Sequence, residues 1–182
     1  MAAKLPRIIA RALSGRMVAG ATIAFALAVG VSAQAPGPPG SAVVALAVGG
    51  DVTRAMSITP ADLKAMPRTT VTVSEEGREV KYDGVLVGEV LKRAGAPLGR
   101  DLSGPAVATY VLAKAKDGYQ VVFSLPELDP AFTPNDIIIA DTIDGKPLFE
   151  YQGPFRIVAP HDKRGARSIR MLQSIDVVRL RK

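Results

Sequence analysis

The chain contains no cysteine. That absence excludes disulfides, thiolate nucleophiles and soft sulfur metal ligands together. It also removes the residue that would carry a bacterial lipid anchor. Stability must therefore come from packing and hydrogen bonds. Histidine is nearly as scarce, with His161 the only one. No serine sits in a nucleophile-elbow pattern, so hydrolase chemistry has no support. Gly145-Lys146 lacks the upstream glycines of a phosphate loop. Asp141, Asp144 and Glu150 miss the spacing of a calcium loop, and no metal site is expected. There is no internal repeat. The apolar run from Met17 to Val31 falls short of the roughly 18 to 20 residues that span a bilayer.

That run belongs to a different pattern. Lys4, Arg7, Arg11 and Arg16 precede it with no acidic residue among them. Ala33-Gln34-Ala35 follows it with small residues at the two positions a signal peptidase reads. Residues 1–35 are therefore expected to be an export signal cleaved after Ala35, with a periplasmic or secreted product. Four of the 23 basic residues and none of the 17 acidic ones lie in that segment, so cleavage lowers the net charge from +6 to +2. The high pI is mostly a property of the signal, which argues against a nucleic-acid partner. After cleavage no membrane association is expected. Residues 36–41, Pro36-Gly37-Pro38-Pro39-Gly40-Ser41, read as an extended linker. Residues 42–182 then form one domain of ordinary size.

Within that domain, strands dominate. Ala42 to Val48 reads as a buried strand, Gly49-Gly50-Asp51 as a turn and Thr53 to Ile58 as a second strand. Thr59, Pro60 and Asp62 mark a helix start, and Pro67 stops the helix. Thr69 to Ser74 and Arg78 to Tyr82 suggest a hairpin, with Asp83-Gly84 as a further turn. Leu86, Val87, Val90, Leu91 and Ala94 recur at helical spacing, closed by Gly95. Val107 to Ala113 and Gln120 to Phe123 read as strands, and Pro126 to Leu128 as a single helical turn. Ile137 to Asp141 reads as a central strand, with Asp144-Gly145 a tight turn after it. Phe155 to Ala159 and Ser174 to Leu180 complete the sheets. The sum is a compact, mostly-β α+β domain with few helices. Leu86, Val90, Leu91, Ile137, Ile138 and Ile157 are the expected core.

Four stretches together resemble the molybdopterin-binding domain of the sulfite oxidase family. They are Tyr82-Asp83-Gly84-Val85-Leu86 running to Ala94-Gly95; Ala115-Lys116-Asp117-Gly118-Tyr119 with Phe123-Ser124-Leu125-Pro126; Ile139-Ala140-Asp141 through Pro147-Leu148; and Gly153-Pro154-Phe155-Arg156 through Pro160, followed by Arg167-Ser168-Ile169-Arg170. The resemblance covers roughly Val48 to Val178 and implies a sulfite-oxidase-like molybdopterin-binding fold. It makes molybdopterin the cofactor to consider. The family's metal-binding cysteine would fall between Val71 and Gly77. Ser74 is the nearest stand-in there, and a hydroxyl is much harder to deprotonate than a thiol. Molybdenum–thiolate ligation is impossible in this chain. Glu75 and Glu76 in the same interval would repel an anionic cofactor. Arg11 and Arg16 are not adjacent, so the signal lacks the twin-arginine pair of proteins exported already folded around a cofactor.

The best candidate site is Pro160 to Arg170. It holds His161, the cations Lys163, Arg164, Arg167 and Arg170, and a glycine that lets backbone approach a ligand. By resemblance, Arg156, Arg167, Ser168 and Arg170 belong to the segment that holds the pterin phosphate, and guanidinium and backbone N–H groups suit that anion. The three arginines are expected to converge on one concave face. Tyr119 would face the same pocket. The bland alternative is a solvated basic loop with a surface histidine. Three functions follow: an exported domain without molybdenum catalysis that binds a small anionic or pterin-like ligand or a periplasmic protein; an oxidoreductase holding molybdopterin without cysteine; or an accessory module of a periplasmic redox system.

Overall fold

The computed structural model describes residues 44–134 and 136–180. The expected export signal and linker, and the domain start at Ala42, lie outside the described residues.

One sheet is built on a hairpin. Strands β3 (Thr69–Glu75) and β4 (Arg78–Leu86) pair in antiparallel register from Thr69↔Gly84 to Glu75↔Arg78. Glu76 and Gly77 close it with φ of 52° and 79°, the left-handed pair that matches strand twist. β4 also pairs with β7 (Ile138–Ile143), which is flanked by the two-residue β8 (Lys146–Pro147) and by β9 (Arg156–Val158). β7 is thus central, as its unbroken apolar run predicts. Ile138 and Ala140 pack into one cluster while Ile139 packs into another, so both faces of the strand are buried.

Asp83-Gly84 is not a turn. β4 runs straight through it, with a register shift against β7 between the two residues. A Cβ on Gly84 would lie 2.1 Å from the Ile139 carbonyl oxygen. The glycine serves close backbone approach at a bulge rather than chain reversal.

The other sheet has five strands among the described residues. β1 (Leu46–Gly50) and β2 (Met56–Ile58) pair antiparallel, and β1 lies parallel to β10 (Leu172–Arg179). Gly49 and Gly50 are therefore strand residues opposite Asp176 and Val177, and the expected turn shifts to the residues after Gly50. β10 pairs antiparallel with β5 (Thr109–Ala115), which turns into β6 (Gln120–Ser124).

Helix α1 (Pro60–Lys64) starts at Thr59, whose hydroxyl accepts from the Asp62 N–H while Asp62 accepts from the Thr59 N–H. This is a reciprocal capping box. Helix α2 (Val87–Ala94) ends at Gly95 in the left-handed region and buries Val90 and Leu91 completely. Ile137, Ile138 and Ile157 are buried as expected, whereas Leu86 is half-buried at the start of α2. The main core joins both helices to residues of both sheets. A smaller cluster of Val71, Val80, Tyr82, Ile138, Ala140, Ile143 and Val158 fills the opposite face of the β4–β7 sheet.

Candidate functional site

Beside the smaller cluster lies a cleft of about 1030 Å³. Its walls come from the end of the β3–β4 hairpin, the β5–β6 turn, Tyr151-Gln152, and the chain from Ala159 to Met171. Chain segments distant in sequence meet here because β9 pairs with β7 and β10 with β5.

Arg156, at the start of β9, is fixed in this wall. Its Nη1 donates to the Tyr82 hydroxyl and to Gln152 Oε1 at 3.1 Å, and its Nη2 donates to Glu75 Oε1 at 2.8 Å. The guanidinium also lies over the Tyr82 ring, 4.7 Å from its centroid. Its Nε is buried without a hydrogen-bond partner among the described residues. The Tyr82 hydroxyl reaches both Glu75 oxygens at 3.2 and 3.3 Å. Burial pushes this tyrosine up to about 12, with Arg156 opposing the shift and Glu75 reinforcing it.

The expected site residues separate into two groups. Arg156, Arg170, Ser168 and Tyr119 all line the cleft. Arg170 and Lys163 have no ion-pair partner among the described residues. The Ser168 hydroxyl accepts from the Ala159 N–H at 3.2 Å and so holds the loop closed on itself. Tyr119 is half exposed and donates its hydroxyl to the Ala166 carbonyl at 3.0 Å, tying the β5–β6 turn to the basic loop.

Arg167 and His161 line a second, smaller pocket of about 270 Å³ instead. Arg167 binds Asp162 through two nitrogens and Glu127 through a third, and it sits 4.9 Å above the Phe123 ring centroid. His161 Nε2 contacts the Asp136 carboxylate, and its side chain is 78% exposed. The three arginines therefore do not converge. Only the residues around Arg167 form a helical turn (Gly165–Arg167), and Arg170 lies beyond it, where no helical period applies.

Tyr82 and Gln152 are site residues that sequence reasoning overlooked, and Glu75 takes a place there other than the one expected. Glu75 follows Val71 and Val73 at strand alternation, so it shares their face, and a carboxylate there needs a cation. The charge of Glu75, expected to repel an anionic cofactor, is engaged by Arg156. Among the described residues, no group of three or more His, Asp or Glu is placed to hold a metal ion. Asp141 is paired with Arg68 through two bonds, and Asp144 accepts from the Lys81 N–H.

No curated protein matches this chain. Among solved structures it is similar to the sulfane dehydrogenase SoxCD from Paracoccus pantotrophus, at 19% identity and a TM-score of 0.58. That likeness covers 73% of this chain but 37% of the other, so the chain spans little more than a third of that relative's length. At this identity the likeness speaks for the fold alone, and the fold is the sulfite-oxidase-like one expected from the sequence. Residues 41–182 match the family described as the oxidoreductase molybdopterin binding domain, and the chain belongs to that family.

Proposed function

We propose that this domain binds a small anionic or pterin-like ligand in the large cleft and runs no molybdenum chemistry of its own. The observation that carries the reading is the charge arrangement of the wall. Arg170 and Lys163 line the cleft without an ion-pair partner among the described residues, and Arg156 lines it too. Guanidinium and ammonium groups so placed suit a phosphate or carboxylate. The cleft volume of about 1030 Å³ accommodates a ligand of cofactor size.

The family's cofactor fits this donor set only in part. The pterin and its phosphate have counterparts in Arg156, Arg170 and Lys163. The metal does not fit, because the hairpin offers Ser74 and Glu75, both hard oxygen donors, where the family supplies a thiolate. Export to the periplasm or beyond is part of the proposal and rests on the basic-apolar-Ala33-Gln34-Ala35 pattern.

A protein partner is the second reading, favoured by a separate observation. Phe149 and Tyr151 stack with parallel rings, centroids 5.8 Å apart, and both are more than half exposed. Tyr151 also lines the cleft. Exposed aromatic pairs are typical anchors of protein interfaces.

The deciding experiment is purification of the exported protein from its native compartment. Bound small molecules would be identified by mass spectrometry and molybdenum quantified alongside. A phosphorylated heterocycle without stoichiometric metal supports the proposal. Stoichiometric molybdenum replaces it with an oxidoreductase that lacks a cysteine ligand. An empty cleft with a stable co-purified protein favours the second reading.

A further inference from the structure

The Glu75–Arg156 pair is lopsided. The Arg156 side chain is 8% exposed, and Tyr82 and Gln152 hold it from behind. The Glu75 side chain is 37% exposed and stands at the end of β3, next to a two-residue turn. The cation is thus fixed, while the carboxylate, held by Arg156 and the Tyr82 hydroxyl, has solvent beside it into which it can rotate once an incoming anion takes over those bonds. Both residues line the cleft. A buried guanidinium is costly to leave without an oxygen acceptor, and an anion satisfies it best. Glu75 supplies that anion from the chain itself, at the Nη2 of the one arginine in the cleft that is locked in place.

We propose that Glu75 is a displaceable internal counter-ion, occupying the Arg156 subsite until an anionic ligand group takes its place. This inference rests on the ligand-binding reading above. Exchange hands the Arg156 Nη2 and the Tyr82 hydroxyl from the carboxylate to oxygens of the incoming anion, so Arg156 is never left bare. Glu75 thereby sets a threshold. An anion that reaches Nη2 with good geometry displaces it, and one held only by Arg170 and Lys163 at the rim does not. The oxygen-rich chemistry recognised is that of phosphate.

The test uses the purified full chain and inorganic phosphate as probe, titrated calorimetrically into wild type, Glu75→Gln and the double variant Glu75→Gln/Arg156→Gln. Glutamine keeps an oxygen for Arg156 but removes the competing charge. The expected result is phosphate binding about tenfold to a hundredfold tighter in Glu75→Gln, the scale of one charged hydrogen bond. That gain disappears in the double variant. Carbon-13 NMR of the glutamate carboxyl groups in the wild-type chain gives a readout independent of variant folding. Phosphate should shift the Glu75 signal saturably. Equal phosphate affinity in wild type and Glu75→Gln, or a Glu75 signal that stays still while phosphate binds, overturns the counter-ion role and leaves the ligand reading standing. No phosphate binding by any variant or by wild type overturns the counter-ion role, while a pterin phosphate that still binds would keep the broader reading.

Discussion

Arg167 grips Asp162 with two parallel bonds, Nε to Oδ2 at 2.8 Å and Nη2 to Oδ1 at 2.7 Å. The bond to Asp162 is the main cause that raises the Arg167 pKa, against the opposing effect of burial. The same side chain reaches Glu127 next to β6, so it pins the basic loop to the β5–β6 sheet. These bonds make it a clamp on the loop. Arg167→Ala should lower stability by about 1 to 2 kcal/mol, the range for charged hydrogen bonds after allowance for partial exposure. Urea unfolding measures this, and a loss under about 0.5 kcal/mol would mean the loop holds its shape without the clamp.

Gly84→Ala should be among the most damaging small substitutions. Its new methyl would sit 2.1 Å from the Ile139 carbonyl oxygen, and backbone cannot yield as a side chain tip can. The cost is about 3 kcal/mol or more, at the upper end for overpacking. A variant with an unchanged thermal midpoint would show that β4 and β7 are free to separate.

Leu91→Ala tests the face of α2. Leu91 is fully buried in the main core. Truncation should cost about 2 to 5 kcal/mol by chemical denaturation. A value below about 0.5 kcal/mol would place the helix wrongly.

Tyr82 gives the chain a stability limit at high pH. Burial pushes its hydroxyl up to about 12, so the native state keeps the proton that the unfolded chain releases near its ordinary value. A raised value in the folded state means the contribution is complete below about pH 10 and is lost as pH climbs towards 12. The thermal midpoint should fall across that window, and Tyr82→Phe should flatten the fall. If the phenylalanine variant declines as steeply as wild type, the tyrosine is not the group responsible.

Local periodicity made much of this fold legible. β7 reads as central because both its faces are apolar, and α2 reads cleanly because Val87, Val90, Leu91 and Ala94 share one stripe ended by Gly95. Asp83-Gly84 misled because one dipeptide serves both turns and bulges, and only the partner strand decides between them. The site was half legible. The cations of the basic loop could be read, but their directions could not, since the loop has no repeating period. Arg156 and Glu75 are 81 residues apart. Nothing in either neighbourhood says that the two meet; β9 must first dock on β7.

β10 has a consequence for how the molecule forms. It lies between β1 and β5, yet it is the last strand to be made. Two hairpins, β1–β2 and β5–β6, can form early, and each then waits with an open row of backbone donors and acceptors. Sheet closure requires pairing Ala47 with Ser174 across nearly the whole domain. Such non-local pairing slows folding, and the waiting edges are templates for other chains. Until residues through Arg179 are free to pair, the folding chain carries two unfinished β-edges and cannot close its main core.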